Sequence, residues 1–216
     1  DELQAAFRRM RQVTAQIRGT GLSVERLDLG GGLGIPYQIP KDFRHGPDLI
    51  DAYADMVARE TKGLDVDLGF EPGRIIVGNA GIMVTKALYL NPRQSRQFLV
   101  VDAAMNDLVR PAMYEAYHEI WPVNEPQDGG KTVAYDVVGP ICESGDTFAE
   151  GRVMPQVKPG DLLAFMTAGA YGATMASTYN LRPLIPEVVV KGDRFAVTRP
   201  RQTYEDLIGI DQSPIW

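Results

Sequence analysis

Apolar positions recur every three or four residues at the start of the chain, where Leu3, Phe7, Met10, Val13 and Ile17 form one stripe. That spacing predicts an amphipathic helix with the stripe in the core, ended by Gly19 and Gly21. Val24 to Leu29 and Val66 to Phe70 are short apolar runs of strand length. Between them Pro47, Asp48, Leu49, Tyr53, Met56 and Val57 return to helical spacing until Gly63. Strand, helix, strand predicts a parallel pair with its crossover helix on one face. Two strands cannot close a barrel, so residues 1–78 read as part of an α/β barrel. From about Asn79 the texture changes to short β-rich runs: Ile82 to Leu90, Phe98 to Val101, Glu119 to Val123, Thr132 to Val138, Asp161 to Phe165, Pro186 to Val190 and Phe195 to Thr198. Turn signals such as Asn91-Pro92, Asp128-Gly129-Gly130, Pro159-Gly160 and Lys191-Gly192-Asp193 separate them. Residues 79–216 therefore read as a β domain, barrel or sandwich.

Candidate chemistry sits at the two strand ends of the first region. Gly30-Gly31-Gly32-Leu33-Gly34 follows the first strand and Glu71-Pro72-Gly73-Arg74 follows the second. In a parallel sheet both deliver to the same edge, which in barrels is the ligand edge. Glycines let backbone amides approach a phosphate, and Arg74 offers a charged fork to an anion. The combination asks for a phosphorylated ligand with a cationic ring. A dinucleotide motif fails in register, because Ile35 stands where its last glycine belongs.

Composition narrows the classes. The 216 residues are 44% hydrophobic and 23% charged, as expected for a globular protein. A formal net charge of −6, with no polybasic block, argues against a nucleic-acid surface. No apolar run approaches the length of a bilayer span. One cysteine and no export signal point to a reducing cytoplasm. The chain opens at Asp1 inside a helical pattern, which reads as a piece of something longer.

The glycine run, Glu71-Pro72-Gly73-Arg74, Gly139-Pro140-Ile141-Cys142-Glu143-Ser144-Gly145-Asp146 and Ala168-Gly169-Ala170-Tyr171-Gly172 together resemble the fold-type III pyridoxal-phosphate decarboxylases. Within that family, Leu108-Val109-Arg110-Pro111-Ala112-Met113-Tyr114 and the Cys142 motif are most similar to the branch acting on diaminopimelate. The resemblance implies the C-terminal part of a pyridoxal-phosphate barrel followed by a β domain, and a homodimer with shared active sites. It also implies that the Schiff-base lysine lies in an N-terminal barrel segment of the same protein. Lys41, Lys62, Lys86, Lys131, Lys158 and Lys191 sit in no matching motif.

Roles follow from the same resemblance. Glu71, with Pro72 and Gly73, would stand by the pyridine nitrogen and keep it protonated, making the ring an electron sink. Gly31, Gly32, Arg74 and Tyr171 would hold the cofactor phosphate, and Arg74 and Tyr171 would also border the substrate. Arg110 and Tyr114 would hold substrate carboxylate with Arg74, bidentate arginine suiting a diacid. Cys142 would return the proton after decarboxylation, and Glu143 would meet the distal ammonium from across the dimer. Each has a plainer alternative: a tight turn for the glycines, surface ion pairs for the arginines, a half-buried ring for Tyr171. Cysteines are among the most buried residues, which favours a core Cys142, while the polar turn after it argues against a strand interior. His45 and His118 have no ligand partners at metal spacing and read as structural or surface groups.

The implied reaction is decarboxylation of meso-diaminopimelate to L-lysine. Ornithine or arginine decarboxylation, or a non-catalytic regulatory relative, are the alternatives. Ornithine and arginine lack a far-end carboxylate for the paired arginines.

Overall fold

A computed structural model describes residues 2–38, 47–94, 96–124 and 130–216. His45 and Lys41 lie outside them, as do Asp128 and Gly129. The chain divides into two compact units, Asp1–Asn79 and Ala80–Trp216.

The first unit holds helix α1 (Glu2–Gly19), strand β1 (Arg26–Asp28), helix α2 (Pro47–Thr61), strand β2 (Asp67–Gly69) and the short helix α3 (Arg74–Val77). β1 and β2 pair in parallel, with Leu27 opposite Leu68 and Asp28 opposite Gly69. Phe7, Leu27, Leu29, Val57 and Leu64 form its core, with Met10, Tyr53, Met56 and Val66 packed against them. Phe7 meets Tyr53 edge-on at 6.1 Å, fixing α1 against α2. Arg18 caps the layer, its guanidinium donating to the carbonyls of Leu64, Val24 and Asp65. The opposite side of α2 and β2 stays apolar and open, with Ile50 54%, Leu68 38% and Phe70 44% exposed.

The second unit is a six-stranded mixed sheet. Its strands are β3 (Met83–Pro92), β4 (Gln97–Val101), β5 (Ile120–Pro122), β6 (Thr132–Val138), β7 (Thr147–Pro155) and β8 (Leu162–Phe165), in the order β5-β8-β3-β4-β6-β7. All neighbours are antiparallel except β4 and β6. Met83, Thr85 and Ala87 point inward while Val84, Lys86 and Leu88 point out, the two-residue period of a strand with one buried face. β3 pairs with β8 through its first half and with β4 through its second, shifting register between Ala87 and Tyr89. That irregularity bends the strand and helps the sheet curl, bringing the edge strands β5 and β7 close to each other. Arg152 of β7 laces the seam, donating to the His118 carbonyl at 2.7 Å and stacking 4.1 Å from the Tyr117 ring centroid. Inside lie Leu99, Val101, Tyr135, Val137, Leu163 and Phe165, all fully buried. The sheet is thus nearly a barrel. Beyond it the antiparallel hairpin β9 (Glu187–Lys191) and β10 (Arg194–Arg199) forms its own two-stranded sheet, followed by helix α5 (Tyr204–Ile208). Thr203 and Asp206 cap α5 reciprocally.

The barrel portion and the β domain expected from the pattern are therefore both present. One local reading needs correction, and two elements do not show in the pattern. Ile17 is exposed rather than core, because Thr14 takes the buried position one turn earlier and donates its hydroxyl to Met10 carbonyl. Strand β7 has no counterpart in the periodicity. The segment around Arg110 is a short helix, α4 (Arg110–Tyr114), closed by Glu115 at φ 53°. Among the described residues no helix is long and apolar enough to cross a membrane.

Candidate functional site

In the first unit the two strand ends lie side by side. The parallel ladder extends one step beyond the strands, with Leu29 N–H donating to Gly69 carbonyl at 2.9 Å. Asp28 folds its carboxylate back to accept the Gly30 N–H at 2.7 Å, an Asx turn that starts the glycine loop. Glu71 N–H then donates to Gly30 carbonyl at 2.9 Å, so the second loop is stitched to the first. Gly30 and Gly32 have φ of 67° and 90°, a region glycine enters without strain. Gly31 is needed for a different reason: a Cβ there would collide with the Glu71 carbonyl oxygen. Glu71, Pro72 and Gly73 are exposed, and half-buried Arg74 opens α3 with its guanidinium 5.8 Å from the Tyr37 ring centroid. Beneath the loops an apolar groove of about 480 Å³ is bordered by Gly31, Pro72 and Gly73, and by Tyr53, Val57 and Phe70. Close backbone turns, a carboxylate and a guanidinium at one sheet edge suit a phosphorylated ligand with a basic ring.

In the second unit, three segments carry the remaining predicted residues. The first is α4. Arg110 is buried and donates to His118 Nε2 at 3.0 Å, while His118 Nδ1 lies 2.9 Å from the Met166 carbonyl. Arginine can only donate, so Nε2 accepts and Nδ1 carries the proton: the imidazole is neutral. Burial, with the nearby charges of Arg110 and Arg152, holds the His118 pKa below its ordinary value against the opposing bond to Met166. Tyr114, one turn on, is exposed. His118, a structural or surface group by its spacing, is a buried structural one.

The second segment is the turn between β6 and β7. Cys142 and Glu143 are both exposed, which removes the core reading of the thiol. Glu143 Oε1 accepts from Gly145 N–H at 3.2 Å. The third segment follows β8. Thr167 and Tyr171 both have φ of 58°, a conformation uncommon for side-chain-bearing residues and least comfortable for the β-branched Thr167. Gly172 has no room for a Cβ against the Ala168 carbonyl, and Leu108 is the next neighbour. A Cβ on Gly81 would lie 2.5 Å from Gly169 Cα, and Ala168 N–H donates to Gly81 carbonyl at 2.8 Å. The loop bearing Tyr171 is zipped to the start of β3, backbone against backbone.

Sequence reasoning missed the buried polar lattice between these segments. Asn106 Nδ2 donates to Asp107 Oδ1 and to Ser177 carbonyl, both at 3.1 Å. Arg182 donates to Asn106 Oδ1 at 2.9 Å and to Asp102 carbonyl at 2.7 Å, and reaches Asp107 at 3.7 Å. Burial raises the Asp107 pKa despite these partners. Asp102 accepts from Thr85 hydroxyl at 2.6 Å and from Lys86 N–H at 2.8 Å, a structural position. The only hint in the sequence was the density of Asp and Asn over positions 102–107.

The first unit holds a glycine turn beside an exposed carboxylate; the second holds a buried arginine and, on another segment, an exposed thiol. The family described as pyridoxal-dependent decarboxylase, C-terminal sheet domain, matches residues 22–169, and the chain belongs to it. It is 46% identical over 213 residues to a diaminopimelate decarboxylase of Zymomonas mobilis, covering 99% of this chain and 49% of that protein. The crystal structure of diaminopimelate decarboxylase from Helicobacter pylori complexed with L-lysine superposes with a TM-score of 0.82 at 35% identity, covering 96% of this chain and 50% of that one. A lysine/ornithine decarboxylase from Vibrio vulnificus complexed with cadaverine reaches 0.68 at 25% identity, over 83% and 47%. The chain spans about half the length of the curated relatives it matches.

Proposed function

We propose that this chain is the C-terminal half of a pyridoxal-phosphate enzyme that decarboxylates meso-2,6-diaminopimelate to L-lysine. The observation that carries the choice of substrate is the similarity: 46% identity to a diaminopimelate decarboxylase across nearly the whole chain, against 25% to the lysine/ornithine enzyme. The residues add support, since Arg74, Arg110, Cys142 and Glu143 all stand in the motifs that resemble the family.

Pyridoxal phosphate, when bound, supplies an electron sink for the bond to the departing carboxylate. Gly31 and Gly32 present backbone amides to its phosphate, with Tyr171 as a further hydroxyl contact. The Glu71 carboxylate, beside Pro72 and Gly73, keeps the ring nitrogen protonated. Arg74, Arg110 and Tyr114 hold substrate carboxylate, and His118 orients the Arg110 guanidinium. Glu143 takes the distal ammonium, leaving an uncharged substrate end without a partner. Cys142 Sγ gives its proton to the carbon that has lost carbon dioxide. The Schiff-base lysine belongs to an N-terminal barrel segment of the same protein. The site is completed between two subunits of a cytoplasmic homodimer.

The test is turnover by the full-length protein of diaminopimelate against ornithine under the same conditions. A preference for diaminopimelate of at least a hundredfold, about 2.7 kcal/mol, is expected, because a missing carboxylate leaves an arginine unsatisfied. Preferred turnover of ornithine or arginine overturns the assignment.

A further inference from the structure

Asp146 is buried, 3% exposed, and sits directly behind the exposed Cys142–Glu143 turn. Its two carboxylate oxygens accept from different stretches of backbone. Oδ2 takes the Ile141 N–H at 2.7 Å, the residue preceding Cys142, and Oδ1 takes the Met105 N–H at 2.7 Å, 41 positions earlier in the chain. The Asp146 main chain closes the turn as well: Gly139 N–H donates to its carbonyl at 2.9 Å, and its own N–H donates to Glu143 carbonyl at 3.0 Å. Gly139 leaves room for the carboxylate, since a Cβ there would run into Asp146 Oδ1, Oδ2 and Cγ. Met105 is followed by the Asn106–Asp107–Arg182 lattice and then by Arg110. One carboxylate thus bridges the turn bearing Cys142 and Glu143 to the segment leading into α4. Glu143 Oε1 and the Met105 methyl also both come within 4 Å of a Cβ built on Gly145.

We infer that Asp146 is a positioning residue, tying the Cys142–Glu143 turn to the Arg110 segment so that proton donor, ammonium acceptor and carboxylate anchor keep a common geometry. The inference rests on the decarboxylase reading for its functional half. Charge-assisted bonds to two backbone donors are the strong kind, and a buried carboxylate with both oxygens engaged has one place to sit. Burial raises the Asp146 pKa, with the Ile141 and Met105 bonds and Arg182 opposing it. An uncharged amide in its place keeps the shape but turns its NH2 toward one of two N–H groups, so one tie is lost.

The experiment compares Asp146→Asn with the parent in the full-length, cofactor-loaded protein. Amide hydrogen exchange over residues 139–146 and 103–108 is followed beside kcat and KM for diaminopimelate. Val157→Ala, in the core of the same unit, serves as a control of reduced stability. Expected for Asp146→Asn is at least tenfold faster exchange confined to those two segments, and a fall in kcat of at least tenfold with cofactor binding changed less than twofold. Val157→Ala should leave both segments' relative protection and kcat within about twofold. Normal protection in Asp146→Asn overturns the tie. Lost protection with unchanged kcat overturns the positioning role. An equal kcat loss in Val157→Ala reduces the effect to general stability and overturns it as well. A parent enzyme that turns over no diaminopimelate would instead remove the decarboxylase reading, and the exchange result would still judge the tie.

Discussion

The two units place their functional groups by different means. In the first, geometry is set chiefly by backbone: two parallel strands three residues long, a ladder bond past their ends, and a glycine that cannot carry a side chain against Glu71, with the Asp28 carboxylate the one side chain holding the loop start. In the second it rests more on side chains, with buried Asp146, Asn106, Asp107 and His118 and half-buried Arg182 spanning loops on the apolar core. A backbone-built site fails by steric intrusion at one atom. A side-chain lattice fails by losing a charge or a proton, and it responds to pH.

The contrast can be broken most heavily at the cores. Leu163→Ala, at a fully buried position of β8, should cost about 2–5 kcal/mol in denaturant unfolding. Ile50→Ala on the open face of α2, 54% exposed, should change it by no more than about 0.5 kcal/mol. Equal losses at the two positions would mean the first unit's open face is as tightly covered as the second unit's interior.

Gly31→Ala comes next. The Glu71 carbonyl must move, an overpacking cost of about 1–3 kcal/mol. Titration with pyridoxal phosphate should show weaker binding by the full-length variant, by about tenfold to a hundredfold. Gly34→Ala, where a Cβ meets nothing within 4 Å, should bind normally. Matching affinities for the two variants would remove the role given to the close approach.

The pH response belongs to the second unit. His118 is held neutral, mainly by burial, so the unfolded chain takes up its proton first as pH falls below about 6.5. Its contribution is complete above that pH and is lost below it, with a slope of at most about 1.4 kcal/mol per pH unit. Asp107 and Asp146 act with the opposite sign at lower pH, since burial raises both. Urea midpoints measured from pH 7 to 5 should fall for the parent and fall less for His118→Gln. Parallel curves would show that His118 does not titrate with folding. The smallest effect is expected at the exposed Arg8–Glu60 contact of α1 and α2, 3.2 Å. Arg8→Ala should leave the melting temperature within the scatter of the measurement, because solvent screens such pairs.

What could be read from the chain follows the same division. The helices α1 and α2 announced themselves by stripe and terminal glycine, and the Gly31 and Glu71 loops by their motifs, because both are local. Strand β7 did not. Glu150, Gly151 and Arg152 interrupt its alternation, and Gly151, at φ 58°, donates to the Asp136 carboxylate where the β6–β7 register slips. Helix α4 is too short to show a period. Arg182 and Asn106 are 76 positions apart, and Met105 and Asp146 41; no periodicity links them. The sequence motifs identify the candidate chemistry of each segment, and only the fold reveals which buried side chains hold the segments in register.

The meeting of Gly81 with Gly169 has a mechanical corollary. With no side chains between the two main chains, the stretch from Ala168 to Gly172 has no slack to hinge away from β3. If Tyr171 meets the cofactor phosphate as proposed, it would do so by turning its ring about χ1, while its Cα stays where the sheet has put it.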